Sequence, residues 1–116
     1  MRRSNGSASK RNGSRTRYLA CSAEPGMFRN EFLVHLRALN PARSSERIPV
    51  QLLVDRSELE NLHGEPERNQ PVRGWLRVTL TQEVKGKAHV ILPQPAQPVG
   101  ESMWVDASEV TKDAGA

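Results

Sequence analysis

An all-β fold of six short strands, closed into a small barrel or tight sandwich, is predicted by three observations. Apolar side chains recur every second residue in successive short runs, helical periodicity is nowhere sustained over three turns, and Pro- or Gly-bearing segments punctuate the runs. Alternation with one apolar and one polar face is the pattern of antiparallel strands half-buried on a core.

The elements follow in chain order. YLACSAE, residues 18–24, places Leu19 and Cys21 inward. EFLVHLRAL, residues 31–39, aligns Phe32, Val34, Leu36 and Ala38 on one face and His35 with Arg37 on the other. RIPVQLLV, residues 47–54, aligns Ile48, Val50, Leu52 and Val54. Pro66, Pro71 and the ERNQP stretch mark a connection over 63–71. WLRVTLTQ, residues 75–82, sets Leu76, Val78 and Leu80 against Arg77, Thr79 and Thr81. In EVKGK, Gly86 stands where a tight hairpin requires positive φ, and AHVIL then returns with Ala88, Val90 and Leu92 in phase. QPAQPVG, residues 94–100, is too rich in proline to join a ladder that needs N–H donors.

One octet is written twice: LLVDRSEL at 52–59 and MWVDASEV at 103–110. In each, an apolar run stops at an aspartate and a glutamate follows three residues later, the spacing of a reciprocal helix cap. Asp55 with Glu58, and Asp106 with Glu109, are therefore expected to cap short helical turns at about 55–62 and 106–110, the first ending near Gly64. The likeness extends upstream. VHLRALNP (34–41) lies over AHVILPQP (88–95), with His35 over His89, and YLACSAE lies over RVTLTQE (77–83). The chain thus reads as a duplicated three-stranded meander with pseudo-twofold symmetry, its halves spanning about 18–62 and 72–110.

The closing GESMWVDASEV, residues 100–110, resembles the end of an SH3-type barrel, where a strand carrying an aromatic precedes one helical turn. The likeness covers about ten residues and implies a barrel of SH3-like or OB-like size. At 116 residues the chain has room for one modest core.

Charge is segregated. Six of the 17 Lys and Arg, and none of the 13 Asp and Glu, fall in residues 1–17, so the rest of the chain carries a small negative excess. That stretch is Ser, Gly, Asn and Arg with almost no apolar side chain and is expected to be a disordered basic tail, with residues 111–116 a disordered C-terminus. Arg2, Arg3, Lys10, Arg11, Arg15 and Arg17 would form an arm for nucleic acid or another polyanion, or a solubilising extension. A single cysteine, Cys21, excludes an intramolecular disulfide and fits a reducing compartment. No apolar run approaches the roughly 20 residues of a membrane span, and no apolar segment of a secretory signal opens the chain. A cytoplasmic protein with no membrane association is expected.

Catalytic chemistry finds little support. The two Val-Asp segments are similar to the paired aspartates of aspartic proteases, but Asp55 and Asp106 are followed by Arg56 and Ala107 in place of the hydroxyl residue, and the glycine is missing. His35, His63 and His89 lack zinc-motif spacing, and an inward Cys21 is inert packing. No enzyme, metal or cofactor is expected.

Binding remains. Trp75, Arg77, His35, Arg37, His89 and Trp104 all fall on the face opposite the core. Aromatics interleaved with cations can stack bases and hold phosphates, so one reading is a nucleic-acid-associated barrel using the arm together with Trp75 and Arg77. The other is a protein-interaction or assembly module, homo-oligomeric or hetero-typic, in which the same aromatics form an interface core.

Overall fold

The computed structural model describes residues 15–43 and 45–114, and over these the chain is all-β. The strands are β1 (Thr16–Pro25), β2 (Glu31–Leu39), β3 (Arg47–Asp55), β4 (Leu59–Glu60), β5 (Val72–Val84), β6 (Lys87–Ala96), β7 (Gly100–Asp106) and β8 (Val110–Thr111). Single 3-10 turns, Arg56–Glu58 and Ala107–Glu109, follow β3 and β7. The sheet is antiparallel with the order β3-β2-β1-β5-β6-β7, and β4 and β8 pair with β5 and β1. It curls into a half-barrel that brings β3 against β6 and β2 against β7. Gln51 and Gln97 exchange both backbone hydrogen bonds at 2.9 Å where the curl meets itself.

Alternation decides what is buried. Val34, Leu36 and Ala38, then Val50, Leu52 and Val54, then Leu76 and Val78, then Ala88, Val90 and Leu92 form one core with Leu19, Met103 and Val105. Among the described residues no polar or charged side chain is buried with them. The β5–β6 hairpin turns through Lys85 and Gly86, both at positive φ (50° and 80°), between the paired Val84 and Lys87. Two positive-φ residues in a two-residue loop match the right-handed twist of the flanking strands.

The meander is duplicated, and the pairing fixes its register. Leu59 of β4 pairs with Leu76 of β5, as Val110 of β8 pairs with Leu19 of β1. Leu19 and Leu76 are thus equivalent, and they also pair with each other, which places the pseudo-twofold axis between them. The two turns agree: Arg56 N–H donates to the Asn30 carbonyl at 2.9 Å, and Ala107 N–H to the Gly86 carbonyl at 2.8 Å. Asn30 and Gly86 are the equivalent positive-φ residues before β2 and β6. This is the role of the repeated octet. After each third strand the chain turns, its first orphan amide is satisfied by a hairpin carbonyl, and two residues then cross to the other half's first strand.

Several expectations change. Equivalence of Leu19 with Leu76 puts Tyr18 over Trp75, and the β2–β3 and β6–β7 ladders put His35 over Ile91 and Leu33 over His89. The expected alignment is displaced by two residues in the first two strands, because a two-residue slip preserves which side chains face inward. The basic tail cannot extend to residue 17. Thr16 and Arg17 pair with Thr79 and Val78, and the Arg15 guanidinium donates to the Leu80 and Thr81 carbonyls at 3.2 Å. Arg2, Arg3, Lys10 and Arg11 lie outside the described residues. Thr111 belongs to β8, so the C-terminal boundary also moves outward. The turns are shorter than expected, since β4 and β8 begin at Leu59 and Val110. The proline-rich segment is partly strand: β6 runs to Ala96, and its ladder with β7 breaks between Ile91 and Ala96, where Pro93 and Pro95 have no N–H to give.

Only one aspartate caps. Asp55 Oδ2 accepts from Ser57 N–H at 2.9 Å, one residue earlier in the turn than a reciprocal cap would place it. Asp106 makes no cap bond; its Oδ2 accepts from Arg47 Nη2 and Nε at 2.7 and 3.2 Å, tying the end of β7 to the start of β3. Neither Glu58 nor Glu109 is bonded back to its cap amide among the described residues.

Two predictions follow from this arrangement. Leu19→Ala and Leu76→Ala should each destabilise by about 2–5 kcal/mol. Because the two meet on the axis, the double variant in chemical denaturation should depart from additivity by about 0.5–3 kcal/mol. The aspartates should respond oppositely to conditions. The backbone amide of Ser57, helped by its hydroxyl, holds the Asp55 carboxyl below its ordinary pKa. Its stabilisation is therefore complete above that ordinary value and is lost as pH falls through the lowered one. The deficit of Asp55→Ala should begin to shrink as pH falls below about 4, close only below the lowered pKa, and ignore salt. That of Asp106→Ala, about 0.5–1 kcal/mol for a part-exposed ion pair, should shrink in 1 M NaCl.

Candidate functional site

β1 changes partner along its length: Tyr18 and Leu19 pair with β8, and Ser22 to Pro25 pair with β2. Ala20 and Cys21 have no strand neighbour on that side, and a cleft of about 530 Å³ opens there. Its walls come from outward positions of three strands: Ala20 and Ser22 on β1, His35 and Arg37 on β2, Arg73 and Trp75 on β5. His63, beyond β4, and Glu109, in the second 3-10 turn, complete the rim. Gly74, also lining the cleft, is buried because Leu62 folds over it; a Cβ at this position would stand 2.6 Å from Leu62 Cδ2.

The cleft's electrostatics favour an anion. Arg37 and Arg73 are exposed, and no ion pair engages either among the described residues. His35 Nε2 donates to Glu24 Oε2 at 2.6 Å, which commits that carboxylate to the imidazole. Glu109 is the one acid on the cleft wall. Desolvation, reinforced by the neighbouring Asp106 carboxylate, pushes its pKa up against the pull of Arg47 and Arg37. Burial pushes the Cys21 thiol up to about 12, so it stays protonated and is a poor nucleophile. Trp75 is half-buried and sits in the same strand as Arg73, one face of its strand carrying both.

The duplication supplies an internal comparison. β5 changes partner as β1 does, from β4 at Trp75 and Leu76 to β6 from Thr79, and a second cleft of about 230 Å³ opens beside Arg77 and Val78. Its residues are the symmetry mates of the first. Arg77 replaces Ala20, Ile91 replaces His35, Pro93 replaces Arg37, Thr16 replaces Arg73, and Glu58 replaces Glu109. The cations of the first cleft are thus missing from the second. The guanidinium that the second does carry, Arg77, lies 3.5 Å from Glu60.

The outward residues singled out in the sequence therefore separate. Trp75, His35 and Arg37 come together in the first cleft, whereas Arg77 lies on the second. Trp104 lies elsewhere, its ring centroid 5.1 Å from that of His89 at an interplanar angle of 52°. Thr81, the extra residue of a β-bulge, places Oγ1 2.6 Å from His89 Nδ1. His35 and His89 have different partners and do not form a pair. Arg15 and Arg17 are strand-anchored; of the four expected caps only Asp55 caps its turn, while Asp106 binds Arg47 and Glu58 and Glu109 line the second and first clefts. Arg73 and His63 were not anticipated. Arg73 was visible in the alternation Arg73, Trp75, Arg77, whereas His63 lies in a connection where no period operates.

Among the described residues no cluster of three or more His, Cys, Asp or Glu could hold a metal, and no helix is long and apolar enough to cross a membrane. No family model, no curated protein and no solved structure matches the chain.

Proposed function

We propose that the protein is a non-catalytic, nucleic-acid-associated binding module in which the first cleft takes a single-stranded segment. A base would lie on Trp75 and the flanking phosphates on Arg37 and Arg73. The observation that carries this reading is the divergence of the two clefts. Symmetry produced two equivalent openings, and of the two only the first combines an aromatic ring with two guanidiniums that form no ion pair among the described residues and an alanine that leaves room. A ring between cations is what base stacking and phosphate neutralisation require. The arm of Arg2, Arg3, Lys10 and Arg11 would add sequence-independent affinity. Arg77 leaves the proposal, since its guanidinium lies beside the Glu60 carboxylate.

A protein-interaction or assembly module is the second reading. Exposed apolar side chains away from the cleft, Met27 at 88% and Phe28 at 72%, favour it. The two readings use different surfaces.

The symmetry mate dictates the sharpest test. Arginine is tolerated at Arg77, so Ala20→Arg should fill the first cleft without unfolding the sheet. Anisotropy of a labelled oligothymidylate at 50 mM salt should then show at least tenfold weaker binding. Trp75→Ala should weaken binding by about 1–3 kcal/mol with an unchanged salt slope, whereas Arg37→Ala and Arg73→Ala should each reduce the slope by about 1. Deleting residues 2–14 should reduce the slope and leave the effect of Ala20→Arg intact. Unimpaired binding by Ala20→Arg would refute the cleft.

The acid on the wall gives a pH prediction. Protonating Glu109 removes a negative charge from the cleft, so affinity should rise as pH falls through its raised pKa. Glu109→Gln should bind more tightly at neutral pH and lose that dependence. An unchanged pH profile in Glu109→Gln would exclude its carboxylate from the site.

A further inference from the structure

Arg37 and Leu39 are successive outward positions of β2, about 7 Å apart along the strand. Arg37 lines the first cleft, and Leu39 lines the neighbouring opening, a groove of about 400 Å³ beside the β5–β6 hairpin. The two openings therefore meet along one strand. Leu39 is buried but stands outside the main core, and it shares the groove with Pro41, Val84 and Trp104, with Lys85 and Lys87 on the rim. The groove repeats the elements of the cleft, an indole ring and two cations. Neither lysine is in an ion pair among the described residues, and no described acid lines the groove.

The duplicated backbone alone does not dictate this composition. In the register fixed by the pairing, Lys85, Lys87 and Trp104 correspond to Arg29, Glu31 and Leu53, which line the opening beside the β1–β2 hairpin together with Asp55. There two carboxylates face one guanidinium and the indole is missing, while the adjacent second cleft carries Pro93 in place of Arg37. Cations and rings thus run on from cleft to groove in one copy and not in the other. The acids near the junction are offset. Asp106, opposite Lys87 in the β6–β7 ladder, is bound by Arg47 at 2.7 Å, and Arg47 and Arg37 both attract the Glu109 carboxylate. We propose that the groove is the second subsite of one single-strand track: a strand with a base on Trp75 passes Arg37, places a later base on Trp104 and sets its phosphates beside Lys85 and Lys87. This rests on the nucleic-acid reading of the first cleft and adds a length to it, about four to six nucleotides. Two rings with cations beside each follow a backbone and stack any base.

Each opening carries one of the chain's two tryptophans, so their indole NMR signals report the openings separately. In the full chain, 5′-phosphorylated dithymidylate should shift the Trp75 indole alone. An oligothymidylate of about eight nucleotides should shift both and bind at least tenfold more tightly, with a salt slope steeper by about 1. Lys85→Asn with Lys87→Gln removes the rim charge, keeps a residue suited to positive φ at position 85 and sets no acid opposite Asp106. Trp104→Leu removes the ring and keeps an apolar side chain beside His89. Each variant, checked for unchanged thermal unfolding, should abolish the gain with length and leave dithymidylate affinity within twofold. A gain retained in both variants would assign it to the basic arm and overturn the track. Equal affinity for the two oligomers would also overturn the track and leave the cleft standing. No binding of either at millimolar concentration would refute the nucleic-acid reading and the track with it.

Discussion

The contact on which the rest depends is the antiparallel pairing of β1 with β5, centred on Leu19 opposite Leu76. Each leucine lies within its own half's first strand, and each also receives the other half's terminal pair of residues, Leu19 through β8 and Leu76 through β4. Both side chains are almost wholly buried, at 1% and 0% exposure, so the axis lies in the core and the two meanders share one apolar interior. Neither half has a second layer of its own to cover its inward face. Curling of the joined sheet, with β3 on β6 and β2 on β7, supplies it.

That pairing also generates the clefts. A strand that takes one neighbour at its start and another further on leaves a gap between them, and the symmetry makes two such gaps. Backbone geometry therefore supplies equivalent openings, while side chains decide their use. Where Ala20 leaves space, Arg37, Arg73 and Trp75 form a cationic aromatic cleft. Where Arg77 stands, Ile91 and Pro93 replace the polar residues and the opening is smaller.

Much of the fold was legible in the sequence because burial follows period two. Val34 and Leu36, and their mates Val90 and Leu92, announce inward faces by alternation alone, and Gly86 announces the hairpin. The repeated octet announces the duplication. Register was not legible, because shifting a strand by two residues leaves every inward residue inward, and only the pairing of Val110 with Leu19 and Leu59 with Leu76 distinguishes the alternatives. The fate of Asp106 was equally hidden. Its sequence context matches that of Asp55, but Arg47 arrives from the far end of β3 and takes the carboxylate. The cleft's composition depended on which outward residues the curl assembles. Alternation showed that Trp75 and Arg77 share a face, and it could not show that the partner change of β1 and β5 puts them in different openings.

The most direct measurement is a two-dimensional amide NMR titration of the protein with oligothymidylate, because each cleft then controls for the other in one sample. Progressive shifts at Ala20, Ser22, Arg37, Arg73 and the Trp75 indole, with Arg77, Thr79 and Ile91 unmoved, are the result this account predicts. Equal shifts at both sets of symmetry mates, or shifts confined to residues outside the first cleft, would contradict it.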